Sequence, residues 1–336
     1  MNAGSDHRWS VTNTGIVCVV LCALLFSLSF HAQAQQLKRI PRIGYLTLRA
    51  GPSAQDEVFK QELRKLGWVD GQTIAIEYRW TADEVERLPA LAEELVRLKV
   101  DLIVAWTGPV VLAAKNATST IPIVMWAADP VQTGLVASLA RPGGNVTGVS
   151  LILPDLAGKR LELLREVLPR LTRVAFLAHA KDPSSPLFVK QSQEAGQRLG
   201  VKIQPLVLNG PEEFDGAFSA MIRERAGALV IHPLFITAGG YGTQIAILAA
   251  KNRLPTISDG FEFAEAGGLM YYGPDRVALA RRVAHYADDI LRGAKPANLP
   301  VEQPMKFELV INLKTAKQIG LTIPPNVLAR ADRVIK

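Results

Sequence analysis

Continuous apolar strands alternate with amphipathic helices along most of the chain, and this alternation restricts the fold more than any other feature. Residues 101–106 read DLIVAW and residues 121–126 read IPIVMW. Apolar runs of this kind are typical of parallel strands that are covered on both faces. Between such runs lie segments such as 54–68, AQDEVFKQELRKLGW, which repeats apolar residues at helical spacing. The pattern therefore predicts an α/β fold with parallel sheets.

A weak internal repeat predicts two lobes of the same topology. Residues 101–124 contain DLIVAWTG, then AAKN, then TIPIV, and residues 227–257 contain GALVIHPL, then AAKN, then RLPTI. Both segments indicate a strand, a loop, a helix that ends in Ala-Ala-Lys-Asn, and a strand that passes through a proline. We therefore predict two Rossmann-like lobes, each built on a parallel sheet.

The two lobes are expected to share the chain unequally. We predict that residues 40–148 and about 274–300 form the first lobe, and that residues 149–273 and about 301–336 form the second. This division requires three crossovers between the lobes, and extended proline-rich segments suit such crossovers.

The N-terminus has the pattern of a secretory signal peptide. An apolar run at 16–30 follows Arg8, and Ala32-Gln33-Ala34 then gives the small-x-small pattern of a cleavage site. The alternative, a membrane anchor, fits less well because the run is shorter than the roughly 20 residues that span a bilayer. We predict that residues 1–34 are removed and that the mature protein is located in the periplasm.

Composition and motifs argue against several classes of function. Cys18 and Cys22 are the two cysteines and both lie in the predicted signal peptide, so the mature chain has no thiol for a disulfide, a metal or a nucleophile. The formal charge of +7 is spread along the chain without a Lys/Arg run, which argues against nucleic-acid binding. The Gly-x-Ser-x-Gly, His-Glu-x-x-His and Gly-x-x-x-x-Gly-Lys motifs are absent. We therefore predict no enzymatic activity, no metal and no cofactor.

The candidate ligand-binding residues follow the predicted strands, because ligands of open parallel sheets bind at the carboxyl ends of the strands. In the first half these residues are Trp106, Thr107, Gly108, Ala128 and Asp129. In the second half they are His179, His232, Asp259, Tyr271 and Tyr272.

Each group of candidates suits a different part of a small organic ligand. Thr107 and Gly108 open a helix whose N–H groups suit a carboxylate, and Asp129 or Asp259 suits an ammonium group. Trp106, Trp126 and the two tyrosines could enclose an aromatic or apolar side chain. Each of these residues could have a structural role instead. Thr107 and Asp129 suit helix caps, and either tryptophan suits the core. The histidines suit buried polar positions better than metal sites.

A turn-rich stretch, ADPVQTGLVASLARPGGNVTG at 128–148, lies between two predicted strands. We expect a short helix over 134–139, followed by a tight turn at Gly143 and Gly144 where positive φ is needed.

Several motifs, in a fixed order, give the chain a resemblance to a known family. They include DPV at 129–131, ARPGGNVTG at 140–148, EAGGLMYYGPD at 265–275 and LPVEQPMKFELVINLKTAKQIGLTIPP at 299–325. Together they resemble the ABC-transporter substrate-binding proteins of the TrpX-like group, over about 42–336.

The resemblance implies a type I periplasmic-binding-protein fold, with a ligand between two lobes that three hinge segments connect. It also implies a monomer that receives a small organic solute and passes it to an ABC permease and its ATPase. Some members of the group bind aromatic amino acids. This chain departs from the usual pattern at predicted cleft positions, with Trp106 where a small residue is common and His179 where asparagine is frequent.

We therefore predict the solute-binding component of an ABC importer, with an amino acid or an aromatic carboxylate compound as its ligand. The alternative is an exported ligand-sensing subunit of a signalling receptor, which would use the same fold and the same cleft.

Overall fold

The computed structural model describes residues 1, 39–82, 84–151, 156–237 and 240–336. The predicted signal peptide, apart from Met1, lies outside these ranges. Residues Pro41–Lys336 form one compact unit. Among the described residues, no helix combines the length and the apolar character needed to cross a bilayer.

The first sheet is parallel throughout and has the strand order β2-β1-β3-β4-β5. Its strands are β1 (Arg42–Thr47), β2 (Ala75–Trp80), β3 (Leu102–Trp106), β4 (Ile123–Ala128) and β5 (Val146–Leu151). Helices α1 (Ala54–Lys65), α2 (Leu88–Arg97) and α3 (Gly108–Ala117) connect them. Every residue of β3 is buried, as its continuous apolar sequence predicts.

The second sheet has the strand order β12-β11-β10-β9-β8-β6-β7. Its strands are β6 (Arg173–His179), β7 (Lys202–Leu208), β8 (Ala228–Ile231), β9 (Thr256–Ser258), β10 (Met270–Pro274), β11 (Phe307–Asn312) and β12 (Arg333–Ile335). The order of β6 to β10 repeats that of β1 to β5, which confirms the shared topology that the internal repeat predicts. β11 then pairs antiparallel to β10 and extends this sheet.

The remaining helices are α4 (Ala157–Val167), α5 (Ser185–Leu199), α6 (Phe214–Arg223), α7 (Leu234–Thr237), α8 (Gly242–Lys251), α9 (Arg276–Leu291), α10 (Leu313–Gln318) and α11 (Pro325–Leu328). Helix α9 lies between β10 and β11 in sequence but packs against α1, β3, β4 and β5 of the first sheet. Its apolar residues recur every three or four positions and are buried. We name the first sheet with α1–α3 and α9 the first lobe, and the rest the second lobe; the exact boundaries predicted above remain predictions.

The passage that follows α9 runs beside β5. Ser150 N donates to Glu302 O at 2.8 Å, and Glu302 N donates to Gly148 O at 3.0 Å. Gly148 has a φ of +132°, and a Cβ added there would lie 2.3 Å from Met125 O on β4. Only glycine fits this close approach of β4 and β5.

The helix predicted over 134–139 is wrong. That stretch forms a series of turns in which Leu135 N and Val136 N both donate to Pro130 O, at 2.8 and 3.0 Å. Gly134 has a φ of +71°, so the backbone leaves the helical conformation after one turn. In the glycine turn that follows, Gly143 has the expected positive φ, at +81°, whereas Gly144 does not.

Candidate functional site

A cavity lies between the two lobes, at the carboxyl ends of both sheets. Its first-lobe wall comes from the ends of β1, β3 and β4, and its second-lobe wall from the loops that follow β6, β8 and β9. Arg276, the first residue of α9, completes the lining. This is the position at which open α/β sheets bind ligands.

Four predicted site residues line this cavity: Trp106, Thr107, Gly108 and Ala128. Asp129 is next to Ala128, but its carboxylate is engaged in its own turn. Gln132 N donates to Oδ1 at 3.2 Å, and Gln132 Nε2 donates to Oδ2 at 2.8 Å. The carboxylate of Asp129 thus stabilises the turn that follows β4, where none of the described helices begins.

The five candidates from the second half of the chain lie outside the cavity lining. Tyr271 is fully buried and its hydroxyl donates to Pro274 O at 2.7 Å, whereas the ring of Tyr272 stacks on Phe307. His179, His232 and Asp259 are buried behind the second-lobe wall. Direct contact of these five residues with a ligand stays a prediction.

Trp106 and Trp126 lie side by side because their strands pair in register, with Trp106 opposite Trp126. The two ring centroids are 4.2 Å apart. The guanidinium of Arg49 lies over the Trp106 ring at 5.3 Å, and that of Arg276 lies over the Trp126 ring at 5.8 Å. Both cations are thus close enough for cation–π attraction, and the four side chains form a continuous series along the first-lobe wall.

Arg49 follows β1 and is held by Asp56 in the first turn of α1. Its Nη2 donates to Asp56 Oδ1 and Oδ2 at 2.5 and 2.6 Å, and Asp56 also accepts from Tyr45 Oη and from Ser53 N. Arg49 Nε, by contrast, is buried without a hydrogen-bond partner among the described residues. Arg49 was not among the predicted site residues, although it follows the end of β1 as Thr107 follows the end of β3.

Arg276 is directed into the cleft by the start of α9. Asp275 caps this helix by accepting from Ala278 N at 3.0 Å, and Arg276 Nη2 donates to the carbonyl of Asp259 at 2.7 Å. Arg276 Nε has no partner in the described part of the chain. Arg276 lies two residues after the end of β10, as Arg49 lies two residues after β1, but it was not among the predicted site residues.

Thr107 has an unusual backbone conformation, with a φ of 83° and a ψ of 152°. This region is almost restricted to glycine, and a residue held there costs about 1–3 kcal/mol. The conformation starts α3 immediately after β3, so that the free N–H groups of its first turn lie at the cavity. Thr107 Oγ1 is buried, and none of the described residues is its hydrogen-bond partner.

The second-lobe wall carries two carboxylates. Asp182 Oδ1 accepts from Ser184 N at 2.8 Å and from Ser184 Oγ at 2.6 Å, while Oδ2 lies 3.9 Å from His232 Nε2. Burial raises the pKa of Asp182, although the bonds from Ser184 oppose this. Glu262 Oε2 is buried and unpaired within the described ranges. Guanidinium groups therefore face the cavity from the first lobe and carboxylates from the second.

The two lobes touch across the cavity. Lys181 Nζ of the second lobe pairs with Glu86 Oε1 of the first at 2.5 Å, and Leu234 of α7 is buried in the apolar core of the first lobe. A Cβ added to Gly108 would lie 3.5 Å from Asp182 Oδ1. These contacts describe a closed cleft.

The sequence of residues 50–335 matches the family model described as ABC transporter substrate binding protein. The chain belongs to this family. It is 27% identical over 291 residues to a tyrosine-binding protein from Clostridioides difficile, covering 84% of this chain and 82% of the relative. The fold is that of the type I periplasmic binding proteins, as the sequence motifs imply, and these homologues are solute-binding proteins.

Two solved structures differ in how closely they resemble this one. An ABC domain from Streptococcus pneumoniae in complex with L-Trp is 26% identical and has a TM-score of 0.81, over 88% of this chain and 99% of that chain. A ligand-free, open substrate-binding protein from Clostridium difficile is 25% identical and has a TM-score of 0.64, over 88% and 100%. The two sequence identities are nearly equal, so the lower TM-score of the open structure reflects a difference in conformation. This agrees with the closed arrangement of the lobes described above.

Proposed function

We propose that this protein binds an α-amino acid in its zwitterionic form between the two lobes and delivers it to an ABC permease. The observation that carries the proposal is the separation of charge across the cleft. Arginines line the first-lobe side and carboxylates line the second-lobe side. A free amino acid carries a positive ammonium group and a negative carboxylate on the same α-carbon, so one ligand can pair with both walls at once.

The first-lobe side suits the carboxylate of the ligand. Arg276 offers a guanidinium whose Nε has no hydrogen-bond partner among the described residues. The hydroxyl of Thr107 also has no partner among them. The N-terminus of α3 adds free backbone N–H groups and the positive end of the helix dipole. Hydrogen bonds from charged donors to a carboxylate are about twice as strong as neutral ones.

The second-lobe side suits the ammonium group. Oδ2 of Asp182 has the long 3.9 Å approach to His232 as its nearest ion-pair contact, and Glu262 supplies a second carboxylate. An ammonium group donates three hydrogen bonds and accepts none, which complements these oxygens. A ligand held in this way bridges the lobes.

The same groups couple binding to closure. In the closed cleft without a ligand, a buried polar group that lacks a partner costs about 1–3 kcal/mol. Opening exposes such groups to water, whereas a zwitterion pairs with them in the closed state. The ligand therefore stabilises closure through contacts that exist only when the lobes are together.

The relatives support an amino acid as the ligand class, since one is described as tyrosine-binding and another was solved with L-Trp. Export to the periplasm through a cleaved signal peptide, and delivery to a permease and its ATPase, complete the proposal and rest on residues 1–34 and on the family. The comparisons above give no support to the alternative of a sensor subunit.

Titration calorimetry tests the charge separation directly. We expect the best of the twenty amino acids to lose at least 100-fold in affinity, about 2.7 kcal/mol, when its carboxylate or its ammonium group is removed. Arg276→Gln and Asp182→Asn should cause losses of the same order, because each leaves one ligand charge unpaired in a desolvated site.

Two exposed substitutions serve as controls. Arg281→Gln lies on the same helix as Arg276, and Asp215→Asn lies in the second lobe. Both should bind within twofold of the wild-type protein. Equal binding of the amino acid and its amine analogue, or unchanged affinity in Arg276→Gln and Asp182→Asn, would contradict the proposal.

A further inference from the structure

We infer that Trp106 occupies the space in the cleft that an aromatic ligand would need, and that the solute is an α-amino acid with a short side chain. The inference rests on the proposed function and narrows it, because the charged walls define the zwitterion but not its side chain.

The two indole rings that line the cleft already pack against other groups of the protein. Trp106 packs on Trp126 with 4.2 Å between centroids, and the nearby cations lie over these same two rings. Tyr45 also contacts the Trp106 ring, at 5.9 Å. A ligand ring in this part of the cleft would have to pack on Trp106 or Trp126, and these two indole rings already pack on each other.

Little ring surface remains for a ligand to stack on. Trp106 is 5% exposed and Trp126 is 2% exposed, although both line the cavity. An aromatic side chain gains its affinity from burying its faces against apolar surface, and these two residues offer almost none.

Trp106 is also held in place, which makes displacement by a ligand unfavourable. The register of β3 with β4 fixes its backbone beside that of Trp126, and Asp56 holds Arg49 over its ring. Moving the Trp106 indole would break both ring contacts.

The rest of the lining is mixed. Thr107, Gly108, Asp182, Ser184 and Glu262 supply polar groups that suit the zwitterion, and Leu151, Phe188, Pro233 and Leu234 supply apolar surface. Trp106 Nε1 is a buried donor that no described residue pairs with, so a hydroxyl on the ligand would have a partner. Glycine, alanine and serine fit this description, with serine the best supplied with hydrogen bonds.

Calorimetry on the wild-type protein and on Trp106→Ala tests the inference. We expect the wild-type protein to bind at least one of glycine, alanine and serine at least tenfold more tightly than phenylalanine, tyrosine or tryptophan. Trp106→Ala should gain at least tenfold for one of the aromatic amino acids and should lose affinity for the short ones, because its cleft is larger and has lost a donor.

Two further variants keep the test decisive. Trp106→Leu retains an apolar side chain of intermediate size and should shift the preference in the same direction if Trp106→Ala does not fold. Trp80→Ala removes a tryptophan of β2 that lies outside the cavity lining, and it should keep the wild-type preference.

Two results would overturn the inference, and they can be told apart. If the wild-type protein binds an aromatic amino acid at least as tightly as any short one, the role of Trp106 is wrong and the proposed function stands. If the wild-type protein binds none of the twenty amino acids, the proposed function fails and this inference fails with it.

Discussion

Arg160→Met is expected to lower the free energy of unfolding by about 3–5 kcal/mol, because it leaves Asp259 as an unpaired charge in the core of the second lobe. Arg160 Nη2 donates to Asp259 Oδ2 at 3.0 Å, and the two side chains are 3% and 2% exposed. Arg160 Nε also donates to the carbonyl of Tyr272, at 3.1 Å. Urea unfolding of the two proteins measures the difference.

A double-mutant cycle separates the ion pair from general damage to the core. Asp259→Asn should be destabilising alone, and the combination with Arg160→Met should be at least 2 kcal/mol more stable than the sum of the two single effects predicts. Lys159→Met, which breaks the exposed pair with Glu162 on the same helix, should change stability by less than about 1 kcal/mol. Additive effects in the cycle would show that Arg160 and Asp259 do not depend on each other.

Acidification from pH 7 to pH 4.5 is expected to destabilise the protein through His179 and His232. Both rings accept a backbone N–H at Nδ1, from Lys181 at 3.2 Å and from Leu234 at 3.3 Å, so both are neutral in the folded state. Burial lowers the pKa of each histidine to about 4, below the unfolded value of about 6.5. The unfolded chain therefore binds more protons between about pH 6.5 and pH 4.

The stability supplied by neutral histidines is thus complete above about pH 6.5 and is lost as the pH falls towards 4. By linkage, each histidine lowers the free energy of unfolding by about 2 kcal/mol when the pH falls from 7 to 4.5. Asp182 faces this pair and offsets part of the loss, because burial raises its pKa in the folded state. Urea unfolding at both pH values measures the net effect.

His232→Asn identifies the source of the pH dependence. Asparagine keeps an acceptor for Leu234 N but does not titrate, so the loss between pH 7 and pH 4.5 should shrink by about 2 kcal/mol relative to the wild-type protein. His285→Asn replaces a histidine that is 41% exposed on α9 and should leave the loss unchanged. An identical loss in His232→Asn would rule out the buried ring as the cause.

The fold could be predicted because its strands differ so clearly from its helices in sequence. The residues of β3 and β4 are apolar at every position, and such runs are typical of a parallel sheet that is covered on both faces. The repeated Ala-Ala-Lys-Asn order also anticipated the matching topology of the two sheets. The helix predicted over 134–139 failed because Gly134 takes a positive φ that composition alone does not reveal.

The cleft could be predicted only in part. Trp106, Thr107, Gly108 and Ala128 follow their strands directly, so the strand-end rule finds them. Arg276 lies two residues after β10, but its place in the lining depends on α9, which packs on the first lobe before β11 and β12 complete the second sheet. The strand pattern does not reveal that packing. The strand-end rule also predicted His179, His232 and Asp259, whose contact with a ligand stays a prediction; the lining on that side comes from the loops after β6, β8 and β9.

The proposed function is best tested by identifying the solute that the folded protein retains. Protein purified without unfolding would be denatured, and the released small molecules would be identified and quantified by mass spectrometry. We expect one α-amino acid, with a short side chain, at close to one molecule per chain. A sugar, a nucleoside or a carboxylic acid without an amino group at that stoichiometry would contradict it, because none of these places a positive charge against Asp182 and Glu262.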